Sequence, residues 1–129
     1  MSGIIVGIHQ PNFFPWLGFF EKIIKSDVFV FLDNVQYSHG SWTNRVKIVN
    51  QKKPSWITCP VSHKGQYQTI REIKINDNQP WKEKINNLIE LNYSKSDFHS
   101  ENYQFISNMI KRPESLIAGF NIKNIKDID

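Results

Sequence analysis

The run Gly3-Ile4-Ile5-Val6-Gly7-Ile8-His9-Gln10-Pro11-Asn12-Phe13-Phe14-Pro15-Trp16-Leu17-Gly18-Phe19-Phe20-Glu21-Lys22-Ile23-Ile24-Lys25-Ser26-Asp27-Val28-Phe29-Val30-Phe31-Leu32 decides the fold. Gly3 to His9 is a short apolar run of strand length, and Val28 to Leu32 is another. Between them Trp16, Phe19, Phe20, Ile23 and Ile24 recur at the spacing of one helical face. Pro11 and Pro15 make His9 to Phe14 a loop. Pro15 suits a first helical turn, where its missing N–H leaves no bond unmade. Ser26-Asp27 ends the helix. Strand, helix and strand in this order predict a βαβ unit with parallel strands and a right-handed crossover. Unbroken apolar runs are typical of strands covered on both faces, so both are expected to be buried.

Outward from this unit the pattern changes. Asp33 to Asn44 is polar and aromatic, with a turn at His39-Gly40-Ser41. Arg45 to Val49 and Trp56 to Val61 read as a hairpin around a five-residue loop, Asn50-Gln51-Lys52-Lys53-Pro54. His63-Lys64-Gly65 is a further turn. Thr69 to Ile75 is a third β segment, with Ile73 and Ile75 on one face. Pro80 opens a helix carrying Trp81, Ile85, Leu88 and Asn92 on one face. Ser96-Asp97 is expected to cap another, with Ile106, Met109 and Ile110 inward and Pro113 closing it. Ser115 to Asp129 places Ile117, Phe120, Ile125 and Ile128 at helical spacing. The expected class is α/β: a Rossmann-like βαβ start, a small antiparallel excursion and a helical C-terminal third. An open two-stranded parallel sheet has unpaired edges. The hairpin region, a homo-oligomer or further chain is expected to complete it.

Composition bounds the function. The 129 residues have room for one domain, residues 1–129. With 40% hydrophobic and 22% charged residues the chain is expected to fold rather than stay disordered. Its longest apolar stretch, Phe13 to Phe20, is far short of the roughly 20 residues a membrane helix needs, so no membrane insertion is expected. A basic leader is missing from the N-terminus, and the single Cys59 excludes an internal disulfide. Both features favour a cytoplasmic, bacterial setting. The net charge of +4 comes from 13 Lys and 3 Arg against 12 acids. Sparse arginine, and no basic run beyond Lys52-Lys53, argue against a nucleic-acid partner. The expected partner is a small anionic or sugar ligand, although the charge equally suits a solvated surface.

In open α/β sheets ligands bind outside the carboxyl ends of the strands. Those ends carry His9-Gln10-Pro11-Asn12 and Asp33-Asn34-Val35-Gln36-Tyr37. His9 and Asp33 are the candidate catalytic pair. Histidine titrates near neutral pH and can move a proton, and an aspartate can orient a hydroxyl or an amine. The helix N-terminus beside His9 would suit a phosphate. Gln10, Asn12, Gln36 and Tyr37 are candidate binding residues. Trp42, Asn44 and Arg45 join them, since an indole beside Asn and Arg can stack on a sugar or base while the guanidinium clamps an anion. Backbone bonding by His9, a simple turn at Asp33-Asn34 and edge packing at Trp42 are the competing readings. Trp16, Phe19 and Phe20 are assigned to the core, and Cys59 to a buried, inert thiol. His39, His63 and His99 lack metal-ligand spacing, so no metal site is expected. No dinucleotide, phosphate-loop or serine-nucleophile motif is present, and no cofactor is named by the residues.

The strings Gly7-Ile8-His9-Gln10-Pro11-Asn12-Phe13-Phe14-Pro15-Trp16-Leu17-Gly18-Phe19-Phe20-Glu21-Lys22-Ile23, Ser26-Asp27-Val28-Phe29-Val30-Phe31-Leu32-Asp33-Asn34-Val35-Gln36-Tyr37 and Trp42-Thr43-Asn44-Arg45-Val46-Lys47-Ile48 resemble the opening of the WbqC-like family. The resemblance is clear over residues 4 to about 93 and fades beyond them. It implies a place among products of bacterial surface-polysaccharide (O-antigen-type) gene clusters. A transferase that modifies an activated sugar with an acyl or aminoacyl (glycine-like) group is the implied activity. No catalytic residue is carried over from the family. Family members run well beyond this length, with a Gly-rich segment in their second half. The chain is therefore expected to lack the family's C-terminal half, and a non-enzymatic remnant or assembly module is the alternative. A second similarity is to the start of nucleotidyltransferase-like α/β folds, which would make the chain a nucleotide-binding protein. Those use a His-x-Gly-His loop, and here Gln10-Pro11-Asn12 follows His9 without the second histidine.

Overall fold

The computed structural model describes residues 3–63, 67–93 and 99–128. The opening run forms the expected unit: β1 (Val6–His9), α1 (Leu17–Ile24) and β2 (Val28–Phe31). β1 and β2 pair in parallel, with Val6 opposite Val28 and His9 opposite Phe31. Asp27 anchors the start of β1, its Oδ2 accepting from the Ile5 N–H at 2.7 Å. Lys22 of α1 donates to the Ile8 carbonyl at 2.7 Å.

The burial of this unit differs from the expectation. Gly7, His9, Phe29 and Phe31 face α1, where Phe19 is buried against the rings of His9, Phe29 and Trp16. On the other face Val6, Ile8, Val28 and Val30 are 41–53% exposed. Among the described residues the sheet has helix on one side only. The sequence carries the uninterrupted apolar pattern of a doubly covered sheet, whereas the structure covers one face.

The hairpin is β3 (Arg45–Asn50) and β4 (Lys53–Thr58), antiparallel, with Asn50 opposite Lys53. Its loop is therefore two residues, Gln51-Lys52, rather than five. Both have positive φ, 50° and 66°, the geometry of a type I′ turn whose twist matches the strands. Pro54 lies within β4, opposite Val49. β5 (Val61–Ser62) pairs antiparallel with β6 (Lys74–Ile75). The segment before β6, expected to be wholly β, contains a short 3-10 turn at Ile70–Glu72. Glu72 closes the turn onto its cap, its Oε1 accepting from both the Thr69 N–H and the Thr69 hydroxyl. Among the described residues the three two-stranded sheets stay separate, so the hairpin does not complete the parallel pair.

The helices α2 (Trp81–Tyr93), α3 (His99–Ile110) and α4 (Ile117–Ile128) follow the expected periodicity. Trp81 and Ile85 are buried, as are Met109 and Ile110 of α3. In α4, Ile117, Phe120 and Ile125 are buried, while Ile128 sits at the surface. Phe120 is central, with Phe13 stacked on it at 5.9 Å and Trp81 edge-on at 5.6 Å. Side chains of this kind contribute roughly 1.5–3 kcal/mol each when fully buried. α4 is stitched to β6 through Ile75 N–H to Ser115 O and Ile117 N–H to Ile73 O. The turn expected at Lys64-Gly65 and the cap at Ser96-Asp97 lie outside the described residues. No helix among them is long and apolar enough to cross a membrane.

Candidate functional site

The loop Pro11 to Pro15 crosses the start of the hairpin, and a cleft forms at the crossing. Phe13 N–H donates to the Trp42 carbonyl at 2.9 Å. Beneath the crossing lies Asn121 of α4, whose side chain is 1% exposed. Its Nδ2 donates to Pro11 O at 3.1 Å and to Thr43 O at 2.7 Å. One amide thus holds both loops in register. Asn12, Trp16, Trp42 and Lys47 line the cleft they enclose.

Phe14 stands in the wall with φ of 43°. A bulky aromatic residue in the left-handed region is a genuine outlier, and such strain concentrates at binding sites. Here its neighbours hold it: the Phe14 ring packs edge-on against Phe13 at 4.8 Å and Phe120 at 6.3 Å. Phe14, Pro15, Val46 and Lys47 also line a second cavity of about 580 Å3 between the hairpin and α3, which adjoins the cleft along them.

The outer face of the hairpin is an aromatic and cationic platform. Trp42 and Trp56 are 48% and 39% exposed, with ring centroids 5.2 Å apart. The Arg45 guanidinium lies over the Trp56 ring at 3.9 Å, and Lys47 Nζ at 5.0 Å. Contacts of this type are worth about 0.5–1 kcal/mol at exposed sites. Arg45 also donates to the Gly40 carbonyl, in the turn where Gly40 has φ of 76°. Its Nε is buried and has no hydrogen-bond partner among the described residues. Trp16, assigned to the core by periodicity, is 54% exposed at the N-cap of α1. Gly18 permits this, since a Cβ there would stand 2.5 Å from Trp16 Nε1.

The sequence candidates separate into groups. Asn12 and Trp42 line the cleft, and Arg45 braces the platform beside it. His9 stands behind Trp16, with ring centroids 5.8 Å apart, and its Nδ1 lies 2.8 Å from Gln10 O. Gln10 itself is exposed. Asp33 is drawn to another element: its Oδ1 accepts from Arg71 at 3.0 Å. Gln36 is exposed and bridges Thr69. Tyr37 and Asn44 are internal braces. Tyr37 OH donates to Asn44 Oδ1 at 3.1 Å, and Asn44 Nδ2 to Cys59 O at 3.0 Å. Burial pushes the Tyr37 hydroxyl above its ordinary range and the Cys59 thiol well up, so neither ionises at neutral pH. Lys47, Trp56 and Phe14 were not singled out by sequence. The hairpin register carries the signal for two of them: a turn at Gln51-Lys52 sets Lys47 opposite Trp56, whereas a five-residue loop does not. Among the described residues no group of His, Cys, Asp and Glu is placed to hold a metal ion.

Comparison with known proteins adds two findings. Over 97 residues, 74% of this chain, the sequence is 38% identical to the uncharacterised protein Rv1507c of Mycobacterium tuberculosis. The match spans 42% of that protein's length, so the chain covers less than half of its relative. No solved structure matches. The model of the WbqC-like protein family matches residues 10–128. It thus extends past residue 93, where the recognisable motifs fade, and takes in the Asn12 loop, the hairpin and α4. The chain belongs to the WbqC-like protein family.

Proposed function

We propose that this chain is the carbohydrate-binding part of a transferase of bacterial surface-polysaccharide (O-antigen-type) biosynthesis, modifying an activated sugar with an acyl or aminoacyl group. Family membership supports the setting. The observation that carries the reading is the cleft of Trp16, Trp42, Asn12 and Lys47, flanked by Trp56. Sugars present flat C–H faces to indole rings, and their hydroxyls need amide and ammonium partners at the edge. Exposed indoles beside a buried amide meet both needs. In this reading Asn12 and Lys47 bond hydroxyls while Trp16 and Trp42 hold the ring. Arg45 keeps Trp56 in place and offers charge to an anionic donor. We assign proton transfer to His9, which packs behind Trp16 at the edge of the cleft; Asp33, paired with Arg71 on another element, is given no part in it.

A thermal-shift series with nucleotide-sugars, free nucleotides and acyl donors tests this. A rise in Tm is expected with nucleotide-sugars at hundreds of micromolar, through preferential binding to the folded state. Trp42→Ala should abolish the shift, and His9→Ala should leave it. Equal shifts with free nucleotides, which lack the appended hexose, would assign the cleft to nucleotide binding instead. Silence across the whole series would favour a non-enzymatic assembly module.

A further inference from the structure

We propose that the 580 Å3 cavity beside the cleft receives an aliphatic chain joined covalently to the sugar, so that the ligand is a glycolipid. The inference rests on the carbohydrate reading of the cleft. Continuity is the first observation. The two cavities have Phe14, Pro15, Val46 and Lys47 in both linings and adjoin along them, a rim that one ligand would have to cross. The second observation is chemical. Beyond that rim the lining is mostly hydrocarbon, with Ile48, Ile89, Phe105 and Ile128, and Asn102 and Tyr103 of α3 add polar groups on one side. Amide and indole groups at one end and an aliphatic trough at the other are the complement of an amphiphile. The volume lies within the range of small-molecule pockets. The exposed lining is a small fraction of the roughly 800 Å2 per partner that a stable protein interface needs, which favours a chain over a second polypeptide.

The test titrates the 129-residue protein with methyl, hexyl and octyl β-D-glucoside below their micelle concentrations, and with octanoate. Calorimetry reads affinity, and tryptophan fluorescence reads occupancy of the cleft. Affinity should climb with chain length, by at most about fourfold per methylene. Phe105→Glu should remove that climb while leaving the methyl glucoside response as in wild type. Phe105 is 47% exposed, so the substitution spares the core; Ile128→Glu, on the same rim, is the second variant. A response to methyl glucoside with no dependence on chain length would overturn the proposal and leave the carbohydrate reading standing. Failure of every glucoside to bind would overturn the joined ligand, while the nucleotide-sugar series decides the carbohydrate reading by itself. Octanoate binding as tightly as octyl glucoside would show a cavity for a chain without its sugar, and would overturn the joined ligand. Self-association that Phe105→Glu abolishes, without alkyl binding, would give the cavity to a second copy and also overturn it.

Discussion

Asn121 joins three parts of the molecule through one amide. Both Nδ2 hydrogens are spent on the carbonyls of Pro11 and Thr43, which flank the two cleft residues Asn12 and Trp42. Its Oδ1 is buried without a hydrogen-bond partner among the described residues. Removing the amide leaves two buried carbonyls short of a donor, at a cost of roughly 1–3 kcal/mol. Asn121→Ala is therefore expected to lower stability by about 2 kcal/mol in denaturant titration. It should also weaken binding in the cleft, although Asn121 is not among the residues lining it. Asn121→Asp keeps the shape and loses the donors, so it should behave like the alanine variant. A wild-type response from Asn121→Asp would show that the two carbonyls are satisfied otherwise. Nothing in α4's apolar spacing announces this role. An asparagine at helical spacing reads as a surface residue until the loops above it are placed.

The elements were more legible than their partners. The 3.6 periodicity located α1, α2, α3 and α4, although α1 buries only Phe19 of its expected stripe and leaves Ile24 exposed, and the parallel β1–β2 pair followed from strand, helix and strand in sequence. The hairpin loop misled because Lys52-Lys53-Pro54 has turn composition, yet Lys53 and Pro54 belong to β4. No glycine marks the true turn, and its left-handed residues are Gln51 and Lys52. That choice has a measurable cost. A left-handed conformation is unfavourable by roughly 1–2 kcal/mol for a residue with a Cβ and nearly free for glycine. Lys52→Gly should raise stability by about 1 kcal/mol, seen as a higher Tm with unchanged binding. A lower Tm would mean that Lys52 contributes contacts outweighing its backbone. The candidate site was half legible for the same reason. Residues placed by local composition, Asn12 and Trp42, were found at the cleft. Those placed by register or tertiary crossing, Lys47, Trp56 and Asn121, needed the fold.

At the scale of the whole molecule the chain has two apolar centres. One gathers Phe13, Ile70, Trp81 and Phe120. The other is the smaller ring cluster of Phe19, Phe29 and Phe31 between α1 and the parallel strands. They are joined just past β2 through Asp33 and Val35, whose carbonyls accept from the N–H groups of Arg71 and Ile70. Half-exposed Val6, Ile8, Val28 and Val30 show that the smaller centre has one layer fewer. The consequence appears in time rather than in geometry. A unit so joined can open while the rest stays closed, because its opening exposes little of the main core. Amide hydrogen exchange should find β1 and β2 released in a cooperative sub-global step, ahead of Ile73, Ile75 and α4, whose amides should exchange only with global unfolding. Equal protection across both regions would refute that hierarchy. If it holds, the strand pair that identifies the fold in the sequence is also its least protected portion, and a ligand spanning Trp16 and Trp42 would slow its exchange by clamping the two parts together.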